Sequence, residues 1–171
     1  MTSLGRGVLG MGVTTAIALA AMACSAPPAN ATFVPERPDP VSFQPVAELL
    51  VHRCASTDCH GSSYRNLRLY GDFGLRLSPT DRALVPSTTA AEFEQDYQSL
   101  VGLEPEVMST VIADHGAQPD RLVFVRKARG TEDHKGGKLW SAGDDADLCV
   151  TLWLAGQDNA GSCATAIVSS K

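Results

Sequence analysis

The sequence predicts a small, mostly helical domain with long loops. Three observations carry that prediction. Apolar residues recur at helical spacing in separated segments, several of them opening on a capping residue or an acidic pair. The one alternating stretch, over residues 66–77, is cut by glycines into pieces too short to demand a strand. Fifteen glycines and ten prolines punctuate the chain, which calls for short helices joined by substantial loops.

The 171 residues leave room for a targeting segment and one ordinary domain. With 44% apolar residues a real core is available, although only 6% of the chain is aromatic. A net charge of −5 supplies no basic footprint, so nucleic acid is excluded as an expected partner.

Residues 1–23 are expected to be a signal peptide. Arg6 charges a short n-region, Gly7 to Met22 form an apolar h-region, and the run is too short for a confident membrane span. Ala21-Met22-Ala23-Cys24 looks like a bacterial lipobox, which would leave a lipidated Cys24 at the mature N-terminus. An ordinary secretory signal cut at the same bond is the alternative, and export follows either way. Residues 24–41, rich in Pro and Ala, are expected to form a flexible tether suited to a lipid-anchored domain of the bacterial cell envelope, facing the periplasm or the cell surface.

The folded domain is expected over 42–160. Ser42 is the candidate N-cap of a first helix carrying Val46, Leu49, Leu50 and Arg53 and running into Cys54; Pro45 suits its first turn. Residues 66–77 read either as a strand or as a folded loop with extended pieces. Thr89 and Glu92 form a capping-box pattern ahead of Phe93, Tyr97, Leu100 and Val101. Met108, Val111 and Ile112 look like a buried helical turn, followed by a turn at His115-Gly116-Ala117. Asp120 to Arg129 form a short amphipathic stretch, and 130–137 read as an exposed Gly-rich loop. In the clearest helix, Gly143-Asp144-Asp145 opens the run, Leu148, Leu152 and Ala155 form one stripe with Cys149 and Trp153 beside it, and Gly156 stops it. Residues 161–171 are expected to be a C-terminal tail.

The chemistry gathers at Cys54-Ala55-Ser56-Thr57-Asp58-Cys59-His60. Two cysteines with a histidine directly after the second form the arrangement that attaches a c-type haem: the thiols add to the vinyl groups and the imidazole becomes an axial ligand. The usual spacing has two residues between the cysteines, where this chain has four. The adjacency that matters is Cys59-His60, and Ala55 to Asp58 are small or turn-forming residues that can loop out.

Cysteine pairing follows export, because thiols outside the cytoplasm are commonly oxidised. Two even partitions are open. In one, Cys24 carries lipid, Cys54 and Cys59 carry haem c, and Cys149 pairs with Cys163, pinning the tail. In the other, Cys54–Cys59 and Cys149–Cys163 are two disulfides.

On these residues the chain resembles the cytochrome c-like domains of bacterial envelope lipoproteins. The resemblance rests on Cys54 to His60 followed by Gly61, the Gly71–Leu77 region, Arg121 to Lys127, the His134-Lys135-Gly136-Gly137 loop, and a helix ending Trp153-Leu154-Ala155-Gly156. It spans about residues 45–156, and the order of the motifs carries more weight than any one of them. It implies a small helical fold with terminal helices crossing over one covalent haem, and expanded attachment spacings occur among such proteins. It also places the second iron ligand in the loop before the last helix, where His134 lies. His134 therefore ranks first as distal ligand, Met108 second and His115 third. Arg126, Lys127, Arg129, Lys135 and Lys138 are candidates for pairing haem carboxylates or docking an acidic partner.

Three functions follow as expectations. The first is a monohaem electron carrier, with His60 proximal and His134 distal, exchanging electrons with redox partner proteins of the envelope and having no catalytic residues. The second is a haemless lipoprotein with a Cys54–Cys59 disulfide, acting as a structural or binding module. The third is an enzyme, either a five-coordinate haem peroxidase or a metal site on His60, His134 and His115.

Overall fold

A computed structural model describes residues 33–169, of which 34–169 belong to one compact unit. The expected signal peptide, the lipidated Cys24 and most of the tether lie outside the described residues. The described chain is mostly helical: α1 (Gln44–Cys54), α2 (Ala90–Val101), α3 (Pro105–Ala113), α4 (Val123–Arg129), α5 (Asp145–Leu154) and α6 (Ala160–Val168). Among the described residues no helix is long and apolar enough to cross a membrane. The alternating 66–77 stretch is a folded loop, with a single isolated bridge between Tyr70 and Leu75.

Folding begins upstream of Ser42. Residues 34–40 are non-helical but strapped to the domain. The Glu36 N–H donates to Ser109 Oγ at 2.9 Å, Tyr97 Oη donates to the Pro38 carbonyl at 2.7 Å, and Trp153 Nε1 donates to the Asp39 carbonyl at 3.0 Å. Ser42 is not the side-chain cap that its position suggests. Asp39 takes the role: its two carboxylate oxygens accept the N–H groups of Val41 and Ser42 at 3.1 Å each, satisfying donors at the start of a 3-10 turn that leads into α1. These bonds, the one from Val41 foremost, hold the Asp39 carboxyl below its ordinary pKa.

α1 is the central element. It buries Val46, Ala47, Leu49, Leu50 and Val51, and packs against α2, α5 and α6. Phe43, just before it, meets Tyr97 of α2 edge-to-face at 5.5 Å and lies 5.0 Å from the Trp153 ring of α5. Arg53 ties the far end down, donating to the Leu139 and Ala166 carbonyls at 3.0 Å each.

The expected capping box forms: Thr89 and Glu92 make the reciprocal pair at the start of α2. At the start of α5, Asp144, expected only as part of an acidic opening, is also a side-chain cap and accepts the Asp147 N–H. The face that α5 buries differs from the expected stripe. Ala146, Cys149, Val150, Trp153 and Leu154 are buried, while Leu148, Leu152 and Ala155 are only partly covered. The reason lies in the segment expected as a tail, which is the helix α6. It packs on α5 and α1, carries Cys163 and Ala166 into the core, and is joined to α5 by the Cys149–Cys163 disulfide.

The 71–89 loop is wound around one buried ion pair. Arg76 meets both carboxylate oxygens of Glu92 at 2.8 and 3.0 Å, and also donates to the carbonyls of Arg82 and Pro86 at 2.7 and 2.8 Å. The Leu77 and Thr89 N–H groups complete the carboxylate's shell. Burial pushes Glu92 upward, yet the Arg76 hydrogen bonds, the backbone donors and the guanidinium charge together bring its pKa down to about 2.

Candidate functional site

The Cys54–His60 segment is a closed turn. α1 ends at Cys54, the His60 N–H returns to the Cys54 carbonyl at 2.9 Å, and the Ser56 carbonyl accepts the N–H groups of Cys59 and Gly61 at 2.8 and 3.0 Å. The four intervening residues thus loop out between two ends that are backbone neighbours. Glycine is required against this turn, because a Cβ on either Gly61 or Gly74 would collide with the Ala55 carbonyl.

His60 is fixed from the other side. Its Nδ1 lies 3.0 Å from the Leu67 carbonyl, and the Leu69 N–H donates to the His60 carbonyl at 2.9 Å. With Nδ1–H held by a carbonyl, Nε2 is the nitrogen left with a free lone pair, the tautomer that a metal-ligating histidine uses. Burial holds the His60 pKa below the ordinary histidine value. The Leu67 bond opposes this, and the charges of His134, Arg65 and Lys127 reinforce it. The neutral imidazole needed for ligation is therefore favoured.

His134 comes to His60 from the loop between α4 and α5. The two rings lie 5.9 Å apart between centroids, with planes 27° from parallel. The His134 Nδ1 is 3.3 Å from the Gly137 carbonyl, repeating the His60 pattern. Gly137 turns there with a positive φ of 66°.

Both imidazoles line one cavity of about 350 Å³, within the range of small-molecule sites, about 300–1,000 Å³. Cys54, Leu50, Leu67, Phe124 and Trp140 give it a largely apolar wall. Cys54 and Cys59 are unpaired. Cys54 is buried in the wall, and that burial, with the nearby Cys59 adding to it, pushes its thiol up to about 12. Cys59 is half-buried and outside the cavity wall; its tie to the site is its place next to His60.

The other candidates lie elsewhere. Met108 is buried in the core at 2% exposure and does not reach the cavity. His115 is exposed, with a φ of 53° in the turn after α3. Among the described residues no group of three or more His, Cys, Asp or Glu side chains is placed to hold a metal ion, and His115 is not brought to the cavity lined by His60 and His134. The cationic cluster also divides. Arg129 is bound to Asp147 by two 2.8 Å bonds, and Arg126 to Glu132 at 2.8 Å, so both are structural. Lys127 alone of that group lines the cavity, joined by Arg65 from the attachment side.

Sequence reasoning missed Trp140 as a site residue. Its ring lines the cavity, and its Nε1 is buried without a hydrogen-bond partner. An unpaired buried N–H costs about 1–3 kcal/mol, so it marks a place where a ligand carrying an acceptor would be stabilised. A haem fits the residues present. The two imidazoles lining one cavity would hold the iron, the apolar wall would suit a macrocycle, and Trp140 Nε1 with Lys127 would suit its carboxylates. No protein-family model, curated protein or solved structure matches the chain.

Proposed function

We propose that the chain is a monohaem c-type cytochrome-like protein, carried on the cell envelope by a lipid on Cys24 and passing electrons to redox partner proteins. The observation that carries the reading is the pairing of His60 and His134 across a cavity walled by Cys54 and apolar side chains. Haem c would supply an iron that changes oxidation state by one electron. Cys54 and Cys59 would hold it covalently. His60 would take one axial position, oriented by the Leu67 carbonyl, and His134 the other, oriented by Gly137. With His60 and His134 both holding the iron, a reactant would find no open site, which favours electron transfer over peroxidase chemistry. Two histidines in place of a thioether also favour a low reduction potential.

The second reading, a haemless module with a Cys54–Cys59 disulfide, has less support: these two cysteines are unpaired while Cys149 and Cys163 are joined. Expression with a c-haem maturation system, followed by intact mass and a pyridine haemochrome spectrum, tests the proposal. A mass gain of one haem is the expected result. A protein that matures without haem and with a Cys54–Cys59 disulfide would overturn it.

A further inference from the structure

A second cavity of about 690 Å³ opens between residues 63–70 and the C-terminal half of α2. It shares Tyr64, Arg65, Asn66 and Leu103 with the cavity that holds His60 and His134. Its character differs from that neighbour. Guanidinium, amide, hydroxyl and phenol groups make up most of its wall, and no Asp or Glu contributes to it, in a chain whose 19 acidic residues outnumber its 14 Lys and Arg. Arg68 is pinned to α2 through its backbone, which donates to Ser99 Oγ at 2.8 Å, while its guanidinium has no partner among the described residues. Arg65 gives one N–H to the Asp58 carbonyl at 3.3 Å and keeps its other donors available. The side-chain amide of Gln95 is likewise without a partner among the described residues. Arg65 carries the positive charge to the wall that the two cavities share.

We propose that this groove binds a small organic polyanion, a molecule with at least two carboxylates on a polar body. Two guanidinium forks three residues apart match carboxylates in geometry as well as charge. Gln95, Asn66 and Ser99 supply hydrogen bonds to a hydroxylated body, and the volume suits a molecule of metabolite size. The shared wall puts the occupant beside the first cavity. If the haem reading holds, bound anion favours the more positive oxidation state of the iron, and the midpoint potential falls.

The test is calorimetric titration of the exported, haem-matured protein with citrate at low ionic strength, with inorganic phosphate as a second probe. Saturable citrate binding is expected, stronger than phosphate, and weakened about tenfold or more in Arg68→Gln and in Gln95→Glu. Absence of saturable citrate binding, phosphate binding as tight as citrate, or wild-type citrate affinity in both variants overturns the proposal. Neither substituted residue lines the cavity of His60 and His134, so haem content should stay at the wild-type level in both variants. Haem present without citrate binding counts against the groove alone, and citrate binding without haem counts against the cofactor reading alone. The potential shift rests on both.

Discussion

The backbone N–H of His60 donates to the carbonyl of Cys54 at 2.9 Å, so the two ends of the Cys54–His60 segment are neighbours despite the four residues between the cysteines. The turn is kept closed by the lack of side chains at Gly61 and Gly74, both set against the Ala55 carbonyl. Gly74→Ala forces that backbone to shift. We expect a loss of about 1–3 kcal/mol, the usual cost of overpacking, together with reduced haem loading, read by denaturant unfolding and by pyridine haemochrome. Full stability and loading in Gly74→Ala would show that the turn has slack.

The pairing of His134 with His60 predicts a spectroscopic outcome. On the proposed haem reading, His134→Ala should convert a low-spin spectrum to one with high-spin character and make the site accessible to carbon monoxide. Met108→Ala should leave the spectrum unchanged, because Met108 is a core residue. It should instead lower stability by about 2–5 kcal/mol, the cost of a Met truncated in a packed interior. A near-infrared Met–Fe band that disappears in Met108→Ala would reverse the ligand assignment.

Arg76 and Glu92 form a buried pair whose members cannot be separated cheaply. Arg76→Ala leaves a carboxylate buried without its main partner, and a loss of about 3–5 kcal/mol is expected. The folded pKa of Glu92, about 2, lies below the ordinary glutamate value of 4.5. Its contribution is therefore fully present above the unfolded value and is lost as pH falls through the folded one. Unfolding followed from pH 5 to pH 2 should show this acid-side loss, and Glu92→Gln should diminish it.

Asp96 predicts the opposite dependence. Its side chain is buried, one oxygen accepts the Tyr70 N–H at 2.7 Å, and the other has no partner. Burial raises its pKa to about 8, with the Tyr70 bond opposing and the Glu92 charge adding. A folded pKa above the unfolded one contributes stability that is full below the unfolded value and is lost as pH rises through about 8. Asp96→Asn should remove the decline in melting temperature between about pH 4 and pH 8. A wild-type melting temperature that is flat over that range would refute the assignment.

The Cys149–Cys163 disulfide closes a separation of 14 residues and secures α6 against α5. Its removal by paired Cys→Ser substitution is expected to cost about 3 kcal/mol. Because α6 also accepts the Arg53 bond at Ala166, amide protection should fall first in α6 and at the end of α1.

Local chemistry made part of this structure legible in the sequence. The Thr89–Glu92 box is contained within four residues and forms as read, and the acidic opening at Asp144-Asp145 does start α5. Readings that depended on a distant partner fared less well. Asp39 displaces Ser42 as the cap because the strap brings it into place. α6 escaped notice because Gly161, Ser162 and Thr165 are poor helix formers and the helix opens without a side-chain cap, so packing on α1 and α5 has to hold it. Which face α5 buries depends on α6 in turn. At the site, His60 and His134 were legible as candidates from motif and order, whereas Trp140 became a site residue only once its ring was found on the cavity wall with an unpaired N–H.

The strap has a mechanical consequence. A pull applied upstream of Glu36 does not reach α1 directly; it first loads the bonds to Ser109, Tyr97 and Trp153, which are carried by three different helices. Peeling must break these one after another before tension reaches Phe43 and the helix that ends at Cys54. Segment 36–40 thus works as a strain relief between whatever holds the upstream chain and the turn that presents His60.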